Sequence, residues 1–167
     1  MLFTIEKIKL LGIAIISLLF SCLSVHAKNH IVISKAEMKL RVINDLGDTL
    51  IVYGICCGHA FGNKEEVGDM KTPEGTFTIT EIVNATKWMH DFNDGAGMRK
   101  GAYGKYFFRL GVPNFKGIGI HGTCFPESIG TRSSEGCIRL KNEDLERLRK
   151  YVFKGMVVII EADFIEK

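Results

Sequence analysis

Period-two alternation of apolar and polar side chains is what most narrows the folds open to this chain. Met38, Leu40 and Val42 alternate with Lys39 and Arg41, as in a strand with one buried face. Asn44-Asp45-Leu46-Gly47-Asp48 is turn chemistry and predicts a hairpin. Leu50 to Cys57 is almost wholly apolar and predicts a central strand buried on both faces, ended by Gly58. A polar stretch follows from Gly62 to Lys71. Phe77 and Ile79 then alternate with Thr76, Thr78 and Thr80, a further strand. Tyr106 to Leu110, Ile118 to His121 and a buried Met156 to Ile160 complete the set. Residues 84–105 hold four glycines with little periodicity and predict a long functional loop.

One helix stands out. Asn142 is the expected N-cap, Glu143 and Asp144 suit the first turn, and Leu145, Leu148 and Val152 share a face. Gly155 is expected to close it in a left-handed conformation. The fold class is therefore mainly β, a sandwich or barrel-like sheet with one helix in the C-terminal half and a final strand. The 167 residues suit one domain, with no internal repeat or second boundary. A hydrophobic share of 46% and a charged share of 25% exclude a disordered tail, a collagen-like rod and a multi-pass membrane protein. A net charge of +3 lacks the basic stripe that nucleic acid requires.

The N-terminus reads as an export signal. Lys7 and Lys9 precede the uncharged run Leu10 to Phe20, and Val25-His26-Ala27 offers small residues at the cleavage positions. The run is shorter than the roughly 20 residues a membrane span needs. Residues 1–27 are expected to be removed as a signal peptide, leaving a domain over 28–167. Leu19-Phe20-Ser21-Cys22 offers a second reading, a lipid anchor on Cys22. Both place the domain outside the cytoplasm, in the periplasm or cell envelope. Beyond Ala27 the cysteines are Cys56, Cys57, Cys124 and Cys137. Export would favour two disulfides, but adjacent Cys56 and Cys57 point to opposite faces of a strand.

The chemistry gathers in residues 118–140, IGIHGTCFPESIGTRSSEGCIRL. His121 ends an apolar strand, and Cys137 follows sixteen residues later. A thiol attacks only as thiolate, so it needs an imidazole to take its proton. The same imidazole can return that proton to a leaving amine. The Gly122 carbonyl is a candidate to orient the ring. Small residues about Cys137, Gly136 among them, would leave backbone N–H groups for an oxyanion. Arg139 suits a substrate carboxylate. By themselves these residues fit a buried thiol and a structural histidine better than a catalytic pair.

The local wording goes further. Ile-His-Gly-Thr followed by Ser-x-Gly-Cys-Ile-Arg-Leu resembles the L,D-transpeptidase catalytic domain, also called the YkuD domain. His121, Ser134, Gly136, Cys137 and Arg139 match its pattern. Ile31-Val32-Ile33-Ser34-Lys35 resembles its opening strand, and Thr72-Pro73-Glu74-Gly75-Thr76-Phe77 its Thr-Pro-x-Gly-x-Phe motif. The resemblance spans residues 30–161. It implies that Cys137 attacks the third, L-centred residue of a peptidoglycan stem tetrapeptide while His121 takes the proton. D-Ala leaves, and the acyl group passes to an amine of another stem or of an acceptor protein. Water as acceptor would make an L,D-carboxypeptidase. No cofactor is implied. The expected site is Cys137, His121 and Gly122 for catalysis, with Ser134, Glu135, Gly136 and Arg139 for substrate binding.

Glu135 departs from the pattern, because the family commonly has histidine there. Its carboxylate either bonds a substrate amine or backbone N–H, or raises the Cys137 pKa. The latter would leave an impaired peptidoglycan-binding module of the same fold. Trp88, Tyr103 and Tyr106 either line a substrate groove or pack the long loop. His59 and His90 read as surface or loop histidines. Cys124, near His121, pairs with Cys56 or Cys57, guards the site, or simply packs. A metal protein using His59, His121 and the cysteines would need close ligand pairs, and His121-x-x-Cys124 is only one. A sortase-like enzyme would need a Thr-Leu-x-Thr-Cys strand, which is absent.

Overall fold

The computed structural model describes residues 29–163. The expected signal peptide and Cys22 lie outside those residues. Eight strands form the main sheet: β1 (His30–Ser34), β2 (Lys39–Ile43), β3 (Thr49–Gly54), β5 (Gly75–Asn84), β8 (Tyr106–Leu110), β9 (Gly119–His121), β11 (Ile138–Arg139) and β12 (Val157–Ile160). Their order is β11-β9-β8-β5-β12-β1-β2-β3. Neighbours run antiparallel except β1 with β12 and β9 with β11. Two small pairs flank it: β4 (Cys57–Gly58) beside β10 (Arg132–Ser134), and β6 (Met89–Asp91) beside β7 (Met98–Lys100).

The sheet curls until its ends meet. Just after edge strand β3, Cys56 exchanges both backbone hydrogen bonds with Arg139 of the opposite edge strand β11, each at 2.9 Å. This is the barrel-like closure the strand pattern suggested, and it satisfies backbone groups that an open edge would leave unpaired. Ile33, Leu40, Ile79, Phe108, Ile120 and Val158, from six strands of the sheet, are fully buried inside the curl. Each contributes on the order of 1.5–3 kcal/mol through burial. The single α-helix among the described residues, α1 (Asn142–Leu148), lays Leu145 and Leu148 on that core, and Val152 beyond it is buried too.

Lys35 at the end of β1 is buried. Its ammonium lies 2.6 Å from Glu74 and 3.2 Å from Asp163 and donates to the Gly62 carbonyl at 3.0 Å. Asp163 also holds Arg132 of β10 and accepts from Gly62 N–H at 2.6 Å. The cluster ties the ends of β1 and β12 to the start of β5 and to β10.

The structure corrects three expectations. The run Leu50 to Cys57 is not one central strand. β3 is the sheet edge, with Leu50 and Val52 43% and 49% exposed, and the fully buried part is Ile55-Cys56-Cys57 beyond the strand's end. Continuous apolarity does not record how many faces are covered. Residues 84–105, expected as one long functional loop, instead hold β6 and β7 paired as a hairpin. Its turn is built on Asp91 and Asp94, whose side chains accept from Asn93 and Ala96 N–H at 2.9 and 3.0 Å. Strands of three residues are too short to show a period. Asn142 is the first helical residue rather than the N-cap, and the helix ends at Leu148, well before Gly155. The Asn142 amide turns outward, accepting from Thr123 N–H and donating to Thr123 C=O, both at 3.0 Å.

Candidate active site

His121 closes β9, and its register partner in parallel β11 is Arg139. Parallel partners present their side chains on one face, and residues two apart on a strand share it. Cys137 lies in the turn just before β11, and it lines the same groove as His121 and Arg139. The groove measures about 310 Å³ and is also lined by Tyr103, Lys64 and Phe115.

The imidazole is fixed. A carbonyl can only accept, so His121 Nδ1–H donates to Gly122 O at 2.6 Å, leaving the Nε2 lone pair as the base. Phe107, its partner on β8, stacks on the ring at 5.4 Å and 14°. The Tyr103 ring lies 4.9 Å away on a tilt. Burial pushes the His121 pKa down to about 3, with the positive charge of Arg139 acting in the same direction. Gly122 also meets a steric demand: a Cβ there would come within 2.1 Å of Asn142 Oδ1 and 2.9 Å of the Gly104 backbone. Its N–H donates to Tyr103 O at 2.8 Å, which fastens Tyr103 beside the base.

Cys137 is partly exposed in the groove, and its thiol donates to Gly117 O at 3.3 Å. Packing around the sulfur pushes its pKa up to about 11. The Gly119 N–H and the Arg139 and Lys64 charges favour thiolate, while Glu135 opposes it. The resting pair is therefore a neutral thiol and a neutral imidazole.

The turn before Cys137 is held from two sides. Ser134 Oγ donates to Cys137 O at 2.6 Å and accepts from Gly136 N–H at 3.1 Å. Ser134 is buried and serves as a brace within the turn. The Gly136 N–H expected to be free for an oxyanion is taken by it. Thr72 Oγ1 donates to Gly136 O at 2.9 Å and accepts from Gly58 N–H at 2.8 Å, a task for the Thr-Pro-x-Gly segment that the sequence did not disclose. Gly136 has φ +130°, and a Cβ would sit 2.8 Å from Lys71 O. Only glycine enters such a conformation without strain.

Arg139 is buried beside the groove with its guanidinium 5.3 Å from the Phe92 ring. Glu135 is exposed and pairs with His90 Nε2 at 3.1 Å. His90 is thus a groove residue on β6, where a surface or loop histidine was expected. Lys64 was also missed, since nothing in the polar stretch around it marks a groove residue. Trp88 packs the hairpin through Tyr103 and Phe107, each at 5.5 Å. Tyr106 stacks on Phe108 at 6.2 Å, outside the groove. His59 is exposed, near Arg132 O. Cys56, Cys57, Cys124 and Cys137 are all free thiols. Cys56 lies 3.3 Å from Ser133 Oγ, Cys57 is 3.8 Å from Met38 Sδ, and Cys124 is outside the groove lining. Among the described residues, no group of three or more His, Cys, Asp or Glu could hold a metal ion.

The curled β domain thus holds a thiol and a tautomer-fixed imidazole in one groove beside a guanidinium. The family profile described as the L,D-transpeptidase catalytic domain, YkuD, matches residues 28–160, and the chain belongs to that family. YqjB of Bacillus subtilis (strain 168), named provisionally as an L,D-transpeptidase, is 28% identical over 136 residues, covering 80% of this chain and 72% of that protein. An L,D-transpeptidase from Mycobacterium smegmatis superposes with a TM-score of 0.61 at 21% identity, over 81% of this chain and 59% of that one. Pgp2 of Campylobacter jejuni, described as a helical cell shape determining protein, gives 0.58 at 25% identity, over 83% of this chain and 49% of that one. The chain thus spans about half to three fifths of these solved structures.

Proposed function

We propose that this chain is a peptidoglycan L,D-transpeptidase with Cys137 as nucleophile and His121 as base. The observation that carries this reading is the shared groove. Cys137 and His121 both line it, and His121 Nε2 is left free by the Gly122 contact. As Cys137 Sγ attacks the carbonyl of the third stem residue, its proton passes to His121 Nε2. His121 returns that proton to the departing amine of D-Ala, and a thioester remains. An acceptor amine then attacks the thioester, His121 takes its proton, and the thiol is regenerated. Arg139 places positive charge in the groove, suited to a carboxylate of the stem, while the Lys64 ammonium there is paired with Asp69. Ser134 and Gly136 shape the turn that presents the sulfur.

The N-terminal pattern supports export to the periplasm or cell envelope, where peptidoglycan lies. Among the described residues no helix is long and apolar enough to cross a membrane. The likeness to Pgp2 supports a part in shaping the wall.

Intact mass after incubation with meropenem tests the reading. One adduct is expected on the wild type and none on Cys137→Ala. No adduct on folded, reduced wild type overturns it, and an adduct surviving Cys137→Ala moves the nucleophile elsewhere. Product analysis with stem tetrapeptides then separates cross-link formation from hydrolysis.

A further inference from the structure

The β6–β7 hairpin is pinned across the groove through one histidine. A carboxylate only accepts, so His90 Nε2–H donates to Glu135 at 3.1 Å. In the neutral ring Nδ1 then accepts from the Tyr103 hydroxyl at 3.0 Å. A protonated ring keeps the Glu135 bond and donates to Tyr103 instead. The same Tyr103 lies 4.9 Å from the His121 ring and holds Gly122 through its carbonyl. Beyond His90, Phe92 sets its ring against Phe125 at 5.1 Å and beneath Arg139. A continuous chain therefore runs from Glu135, two residues before the nucleophile, through His90 and Tyr103 to the base.

We propose that His90 and Glu135 act together as positioning residues, holding the hairpin as a wall of the groove and Tyr103 against His121. This rests on the reading of Cys137 and His121 given above. A two-stranded hairpin barely holds itself in water, so its few tethers decide where it sits. The pair is itself part exposed, with side chains 27% and 44% accessible. Such pairs add little to global stability. The role is thus separable from folding: losing the pair should displace the hairpin and slow chemistry while the melting temperature stays nearly constant.

The test is a double-mutant cycle on the exported domain with His90→Ala, Glu135→Ala and both together, plus Glu135→Gln. Gln retains an acceptor for His90 Nε2–H. Two readouts are taken: the meropenem acylation rate, split into maximal rate and half-saturation, and acrylamide quenching of Trp88. Trp88 is the only tryptophan and packs on Tyr103 at 5.5 Å. Each alanine variant is expected to lower the maximal rate about tenfold and the double variant no further, as coupled residues do. Glu135→Gln should stay within about threefold of wild type, and Trp88 should be quenched more readily in the alanine variants only. Unchanged rates, losses that multiply, or a Glu135→Gln variant as slow as Glu135→Ala would each overturn the proposal. If wild type forms no adduct, the reading of Cys137 fails, and Trp88 quenching decides the pair separately: equal quenching in all variants overturns it.

Discussion

The hydroxyl of Thr72 donates to the Gly136 carbonyl at 2.9 Å, from a residue 64 positions away in the chain. The same hydroxyl accepts from Gly58 N–H, so one side chain joins β4 to the turn that carries the nucleophile. Thr72→Val keeps the shape and removes both bonds, leaving two buried backbone groups unpaired. A loss of about 1–3 kcal/mol is expected, with a melting temperature lower by roughly 3–10 °C. Thr72→Ser, which retains the hydroxyl, should melt close to wild type. Differential scanning calorimetry of the three proteins checks this.

Gly136→Ala places a methyl group 2.8 Å from Lys71 O at φ +130°. The turn must rotate, and a strained conformation of this kind costs of the order of 1–3 kcal/mol. Because Cys137 is the next residue, the displacement reaches the sulfur directly. The meropenem acylation rate is expected to fall about 10²-fold, the usual penalty for a misplacement of about 1 Å. An acylation rate within twofold of wild type would show that the turn is more tolerant than this packing implies.

Asp69 gathers the loop that carries Lys64 to the groove. Burial alone would raise its pKa. Lys64 at 2.6 Å and the N–H groups of Glu65, Lys71 and Glu66 outweigh that and hold it well below the usual carboxylate range. A folded pKa below the unfolded value, about 3.9 for Asp, means stability that is present above that value and lost as pH falls below it. Asp163, lowered by Gly62 N–H, Lys35 and Arg132 against its burial, adds in the same direction. The urea midpoint of wild type should fall steeply from about pH 4 downward. Asp69→Asn should begin lower at pH 7 and fall less over the same range. Parallel curves for the two proteins would remove Asp69 from this account.

Strands with strict alternation were legible because burial of one face leaves a period in the sequence. Met38 to Val42 and Thr76 to Thr80 fall within or beside β2 and β5. The run Leu50 to Cys57 was misread because β3 ends at Gly54 and lies at the sheet edge, and apolarity carries no mark of an edge. The candidate site was legible where its residues are close in sequence, His121 to Arg139, which line one groove. It was opaque where topology does the work. His90 meets Glu135 across 45 residues, and Lys64 reaches the groove from a stretch that reads only as polar. Asn142 looked like a cap because its type suits one. Its amide instead closes the β9 end, a tertiary bond that no local pattern encodes.

A thiol pushed up to about 11 beside an imidazole pushed down to about 3 defines how Cys137 should respond to pH. Between those values both groups are neutral, so no thiolate–imidazolium pair stores reactivity in the resting site. The thiolate fraction at pH 7 is on the order of 10⁻⁴ and grows about tenfold per pH unit. Iodoacetamide labelling of Cys137, followed by peptide mass so that partly exposed Cys124 is not counted, should therefore rise about tenfold per unit from pH 7 to 10 without a shoulder near pH 6–7. Acylation by meropenem should depend differently on pH, because there His121 takes the proton as the bond forms. His121→Ala is expected to slow acylation by roughly 10²–10⁴-fold. The labelling profile of that variant should keep its slope, since labelling draws on the thiolate already present. A labelling plateau reached below pH 7 in wild type, lost in His121→Ala, would instead establish a preformed ion pair. The proton would then have moved before the substrate arrives.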